Sequence, residues 1–123
     1  MKVITLKQPW ATLIAEGYKK YEFRSWKTNY RGELYIHAGK GIDKKAMKKF
    51  EYLNLEYPQS KILAKITLKD CILLDEKVGE KIQNENSLIY GYHTDGYAWV
   101  LENVQKLNIQ ETINGKLGLW NLD

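Results

Sequence analysis

The 123-residue sequence predicts an α+β domain: a small, mainly antiparallel β-barrel with flanking α-helices. Three observations carry that prediction. Runs that alternate with a period of two outnumber runs with helical spacing. Turn-forming residues separate most of these runs at hairpin-like distances. The longest run, KILAKITLKDCILL at 61–74, shifts its alternation near Asp70, as a strand does at a bulge that bends a sheet toward closure. A chain of this length supports one hydrophobic core, so residues 1–123 are read as a single domain.

The elements follow in order. VITL at 3–6 is a short apolar strand. Pro9 suits the first turn of a helix, because the amide proton it lacks would be unpaired there. Trp10, Leu13, Ile14 and Gly17 then recur at helical spacing, and Gly17 is a good terminator, so the helix spans 9–16. Residues 20–26 alternate as a strand and KTNYRG at 27–32 is a turn. ELYIHA at 33–38 puts Leu34, Ile36 and Ala38 on one face and Tyr35 and His37 on the other. Asp43 caps a helix from 44 to about 54, with Ala46, Met47, Phe50 and Leu53 inward. The long strand 61–74 comes next. Residues 75–86 are polar and read as a loose helix or a loop. A strong strand covers 97–104, and GKLGLWNL near the end is a final strand.

Composition narrows the function. No apolar run approaches the roughly 20 residues of a membrane span, and MKVITLKQPW carries no apolar segment like that of a secretory signal. With one cysteine no intramolecular disulfide forms, and Cys71 reads as a small buried hydrophobe. The cytoplasm is the expected compartment. His37 and His93 are far apart and lack a third ligand, so no metal and no cofactor is expected. No phosphate-binding loop, GxGxxG, HExxH or CxxC occurs. Net charge is uneven. Residues 1–50 hold 12 lysines and arginines against 4 acidic residues, whereas 51–123 hold 7 against 11. A half-chain at +8 fits an anionic partner such as nucleic acid; the competing reading, which charge alone favours, is a solvated lysine-rich face at Lys44, Lys45, Lys48 and Lys49.

GYKKYEFRSW at 17–26 holds the chemistry. On a strand, Glu22, Arg24 and Trp26 share one face and Tyr21, Phe23 and Ser25 the other. A Glu22–Arg24 ion pair would hold the guanidinium still with donors to spare for a phosphate or a base edge. Trp26 would offer a stacking surface, and Lys19 a mobile positive charge. The competing reading is a surface salt bridge worth under about 1 kcal/mol beside a core tryptophan.

These residues carry a resemblance. QPWATLIAEGYKKYEFRSW at 8–26 resembles the QPWAxLIxxGxKxxExRxW block of the ASCH family (activating signal cointegrator-1 homology), part of the PUA-like superfamily. YRGELYIHA at 30–38 resembles its RGxLxIHA strand, and YAWVLEN at 97–103 and INGKLGLWNLD at 113–123 resemble its later strands and closing GxxGLW segment.

The resemblance implies a PUA-like β-barrel with a cleft between the first helix and the barrel, lined by GxKxxExR. It implies RNA or a nucleotide-like ligand as partner, with DNA as second candidate. The alternative is a hydrolase: some relatives cleave the amide of 4-acetylcytidine, and ribonuclease activity occurs in others. In the amidohydrolases the motif lysine activates a threonine three positions later. Here Lys19 is followed by Glu22, a poor replacement for a hydroxyl nucleophile, so only a general-base role remains for Glu22 in an enzyme.

The expected binding set is Lys19, Glu22, Arg24, Trp26, Gln8, Arg31 and His37, with Lys19 and Glu22 catalytic only if the protein is an enzyme. For Gln8 the two readings are the cleft mouth and helix capping. For His37 they are the cleft and a satisfied buried histidine. Lys27, Arg31 and Lys40 are a basic rim or ordinary solvated charges. Trp10 is read as core, and Tyr30, Tyr92, Tyr97 and Trp99 as stacking or packing.

Overall fold

The structure, a computed structural model, describes residues 1–123. Six strands form one sheet: β1 (Lys2–Gln8), β2 (Tyr21–Arg24), β3 (Gly32–Ile42), β4 (Lys61–Leu73), β5 (Tyr97–Lys106) and β6 (Leu119–Asn121). Their spatial order is β2-β5-β4-β3-β1-β6. Four pairings are antiparallel, and β1 with β3 is parallel. Three helices attend the sheet, α1 (Trp10–Ala15), α2 (Lys44–Lys49) and α3 (Glu76–Glu85), with a 3₁₀ turn at Glu51–Leu53. None is long and apolar enough to cross a membrane.

The expected closed barrel does not form. β6 pairs with β1 only over Lys2–Ile4, and β2 pairs with β5 but with no strand on its other edge. Beyond Ile4 the outer edge of β1 has no strand beside it. There Arg24 Nη2 reaches from β2 to the carbonyl of Thr5, 3.2 Å away. A side chain spans the seam where a barrel would place a backbone ladder. Register shifts in β4, between Lys65 and Thr67 and between Leu68 and Asp70, fall in the region where the sequence pattern slips. Such bulges bend a strand and raise its twist. They curl the sheet far enough for that contact, but the three-residue β6 is too short to complete a ladder.

Two apolar clusters lie on the two sides of the curled sheet. The inner one gathers Ile4, Leu6, Leu34, Ile36, Ala38, Ala64, Ile66, Leu68, Cys71, Trp99 and Leu101 with Ala11, Ile14 and Ala15 of α1. Leu34, Ile36 and Ala38 sit together as their alternation requires, and Cys71 is buried as expected. The outer cluster packs Leu13, Ala46, Phe50, Leu74, Ile82, Ile89, Tyr90 and Ala98, with Trp10, Tyr21 and Phe23 at its margin. Asp43 accepts from Ala46 N at 3.1 Å and caps α2, and its other oxygen accepts from Trp10 Nε1 at 3.2 Å, tying α2 to α1. The 75–86 stretch is a true helix, α3, capped by Asp75 and docked through Ile82.

Candidate functional site

The site begins where α1 stops. Gly17 takes φ +84°, a left-handed conformation that costs glycine little. Gly17 N donates to Ile14 O, and Tyr18 N and Lys19 N both donate to Leu13 O. This locked turn aims Lys19 back under the helix, and the lysine is only 3% exposed. Its ammonium donates to Tyr21 O and to Glu22 Oε1, the latter at 2.9 Å. It lies 5.6 Å from the ring centre of Trp10 and 5.2 Å from that of Phe23. Of its three protons, two are thus committed, which leaves one donor. Lys19 is a fixed buried cation, not the mobile charge the sequence suggests.

Glu22 joins Lys19 to Arg24, whose Nε stands 3.6 Å from Glu22 Oε2. The Glu22 side chain is 12% exposed, so this is no surface salt bridge. Arg24 Nε itself is buried without a hydrogen-bond partner, as is the indole nitrogen of Trp99. Trp99 pairs in register with Glu22 across β2 and β5, so two unsatisfied donors lie on neighbouring positions of one sheet face.

Lys19 and Glu22 line a hollow of about 300 Å³ with Trp10, Phe23, Asp43, Ile89, Gly91 and His93. Phe23 and His93 face each other with ring centres 4.3 Å apart. His93 is exposed along much of its surface, yet desolvation on the side packed against Phe23, and then the charge of Lys19, lower its pKa from the ordinary imidazole value, so the neutral ring predominates near pH 7. Sequence reasoning did not place Trp10, Phe23, Asp43, Ile89, Gly91 or His93 here, and it put Phe23 on the strand face opposite Glu22. Asp43 and Trp10 announce themselves only as a cap and a core residue, roles they also fill. His93 sits in an irregular segment with no periodicity to orient it.

The other candidates go elsewhere. Gln8 is fully buried: Nε2 donates to Thr12 Oγ1 at 2.8 Å and Pro58 O at 2.7 Å, and Oε1 accepts from Thr12 N at 3.0 Å. It caps α1 and does not reach the cleft mouth. His37 is also fully buried, with Nδ1 3.1 Å from Thr5 Oγ1 and Nε2 2.6 Å from Ile113 O. Trp120 Nε1 donates to the same Thr5 hydroxyl at 3.0 Å. One tautomer completes the chain: Trp120 gives to Thr5, Thr5 gives to Nδ1, and Nε2–H gives to Ile113. Burial lowers the His37 pKa, in keeping with a neutral ring. His37 therefore fastens the C-terminal segment to the sheet. Arg31 donates to Thr28 O and Tyr30 O and stands 3.5 Å from Asp70, folded into its own turn. Trp26 follows β2, 37% exposed, with its ring edge-on to Trp99 at 4.9 Å. None of these four lines the hollow, and Arg24 does not line it either: it reaches the site only as the partner of Glu22. Nowhere do three or more His, Cys, Asp or Glu side chains converge as metal ligands.

A curled sheet with a polar, aromatic-walled cleft under its first helix, built on GxKxxExR spacing, defines the class of domain. The sequence model of the ASCH domain matches residues 4–111, and the chain belongs to that family. It is similar to activating signal cointegrator 1 of Mus musculus, 29% identical over 133 residues, and to that of Homo sapiens, 28% identical over 134 residues. Each alignment covers 98% of this chain but only 22% of the relative, so the chain spans about a fifth of those proteins' length. The crystal structure of a mutant ASCH protein from Zymomonas mobilis superposes with a TM-score of 0.60 at 16% identity. It covers 99% of this chain and 89% of that one, and it shows a shared fold.

Proposed function

We propose that this chain is a nucleic-acid-binding module, with RNA preferred over DNA, which takes one nucleotide into the cleft under α1. The observation that carries the reading is the cleft's make-up. Its roughly 300 Å³ sits at the small end of ligand pockets, the size for one base with its sugar and too small for a longer segment. Trp10 and the Phe23–His93 pair, whose rings pack on each other, give the cleft aromatic walls for a base to lie against. Of the charged residues that line the cleft, Lys19 faces Glu22 and Asp43, with Arg24 behind Glu22 and outside the hollow, so the cleft suits a polar, flat, uncharged group better than an anion. The carboxylates can accept from a ribose 2′-hydroxyl, the group that separates RNA from DNA. The basic N-terminal half supports the same partner, as does the family, which is commonly linked to RNA.

The hydrolase alternative keeps one supporting observation: Glu22 and the neutral His93 line the same hollow, and either would serve as a general base toward a water. Turnover of a modified nucleoside or an RNA strand, lost in Glu22→Gln while binding persists, would favour it.

The test of the leading reading is fluorescence anisotropy of labelled single-stranded RNA, duplex RNA and DNA at two salt concentrations. Binding that favours RNA and weakens with salt is the expected result. Absence of binding at low salt to all three would refute it.

A further inference from the structure

With two carboxylates against one lysine, the cleft leaves the phosphates of a bound strand to be met elsewhere. A second hollow, of about 400 Å³, is floored by Thr5. Its walls are Gly39 and Lys40 in the last part of β3, and Asn114 to Leu117 ahead of β6. Lys40 and Lys116 line it and no acidic residue does. Neither lysine is ion-paired. Lys7 lies outside the lining, its Cγ 3.1 Å from where a Cβ on Gly41 would stand.

This hollow is built rather than incidental. Gly39 and Gly115 both press on Thr5, since a Cβ at either would lie 2.7 Å from Thr5 Cγ2. The segment is anchored on both sides. Ile113 N donates to Ser60 O at 2.8 Å, Ile113 O bonds His37, and Trp120 bonds the Thr5 hydroxyl. Lys116 rides over the Trp120 ring, 5.6 Å from its centre. Thr5 lies between the two sites: its carbonyl accepts from Arg24, the partner of Glu22 in the cleft, while its side chain lines this hollow.

We propose that the hollow is a phosphate site, in which Lys40 and Lys116 hold phosphodiester groups of the strand whose nucleotide occupies the Lys19–Glu22 cleft. The proposal rests on the nucleic-acid reading above. It extends that reading to residues 113–118, which lie outside the 4–111 span matched by the family. Lysines here act as point charges that position a backbone without reading sequence.

Two measurements on the full chain test it. In the first, pyrophosphate is titrated into labelled protein and followed by amide NMR. Saturable shifts at Gly39, Lys40, Gly115 and Lys116 are expected, lost in Lys40→Ala/Lys116→Ala and kept in Lys77→Ala/Lys81→Ala, which removes equal charge from exposed positions on α3. No shifts there, or shifts that survive the Lys40/Lys116 variant, overturn the site. In the second, RNA affinity is measured against salt. Each phosphate contact on a single strand contributes roughly 0.7 to the slope, so losing two should flatten it by about 1.4. Between about 50 and 200 mM salt that is roughly a sevenfold smaller loss of affinity. An unchanged slope with RNA still bound overturns the strand track. If pyrophosphate binds the hollow but no RNA binds the wild type, the phosphate site stands and the nucleic-acid reading falls.

Discussion

Lys19→Met removes an ammonium while keeping a flexible apolar stem between Trp10 and Phe23. In the native chain that ammonium donates to Tyr21 O and Glu22 Oε1 and is 3% exposed. Two hydrogen bonds from a charged donor are worth roughly 1.5–3 kcal/mol each. Against them stands the desolvation of a buried ammonium, which costs several kcal/mol and is no longer incurred. What the variant leaves behind is Glu22, 12% exposed, with Arg24 Nε 3.6 Å away as its remaining cation. The expected net loss is about 2 kcal/mol, within the usual range for breaking a buried polar network. Glu22→Gln strands Lys19 in the same way and should cost a similar amount. The double variant removes both charges together and should lose only about 2.5 kcal/mol, a coupling of about 1.5 kcal/mol. Urea unfolding at pH 7, with equal m-values for the four proteins, measures this. Losses that add to within about 0.5 kcal/mol would show that the two residues do not act as a unit, and the reasoning would fail.

Other residues make separate predictions. His37 is held below its ordinary value of 6.5 by burial, so the unfolded chain takes up a proton that the native chain refuses. Its contribution is therefore full above about pH 6.5 and is lost as pH falls toward the lower native pKa, by at most about 1.4 kcal/mol between 6.5 and 5.5. His93 pushes the same way, so the check is the wild-type stability curve against that of His37→Asn, and parallel curves would contradict the assignment. Gly17→Ala meets no atom within 4 Å yet must hold φ +84°, so urea unfolding should show a loss of about 1 kcal/mol from backbone strain alone. Asp43→Ala loses the α2 cap and the bond from Trp10, and should cost about 1–2 kcal/mol by the same measurement.

How much of this was legible in the sequence depends on the range of each interaction. The α1 stop at Gly17, the Asp43 cap, the alternation of Leu34, Ile36 and Ala38, and the pattern slip near Asp70 are local, and the structure has them all. Lys19, Glu22 and Arg24 meet because one turn and one strand fix their spacing. Closure of the sheet is different. It depends on how far β6 runs along β1, and a three-residue pairing leaves no mark on alternation. The helix α3 was obscure because Gly79 and Ile82 are its only buried residues, too few for a clear apolar stripe. Gln8 carried two readings because an amide suits a cap and a cleft equally. Only the folded position of Thr12 and Pro58 decides between them. His93 reaches the cleft because α3 presses on the segment that carries it, with Gly79 so close that a Cβ would fall 2.2 Å from His93 O. No local spacing encodes that contact.

The central claim is that a nucleotide enters the cleft under α1. Amide NMR of the labelled chain, titrated with a short single-stranded RNA at low salt, addresses it most directly. The predicted result is saturable shifts concentrated at Lys19, Glu22, Phe23, Gly91 and His93, abolished in Lys19→Met once urea unfolding shows that this variant is folded. Shifts that avoid these residues and gather on the lysines of α2, or that persist undiminished in the folded variant, would contradict it.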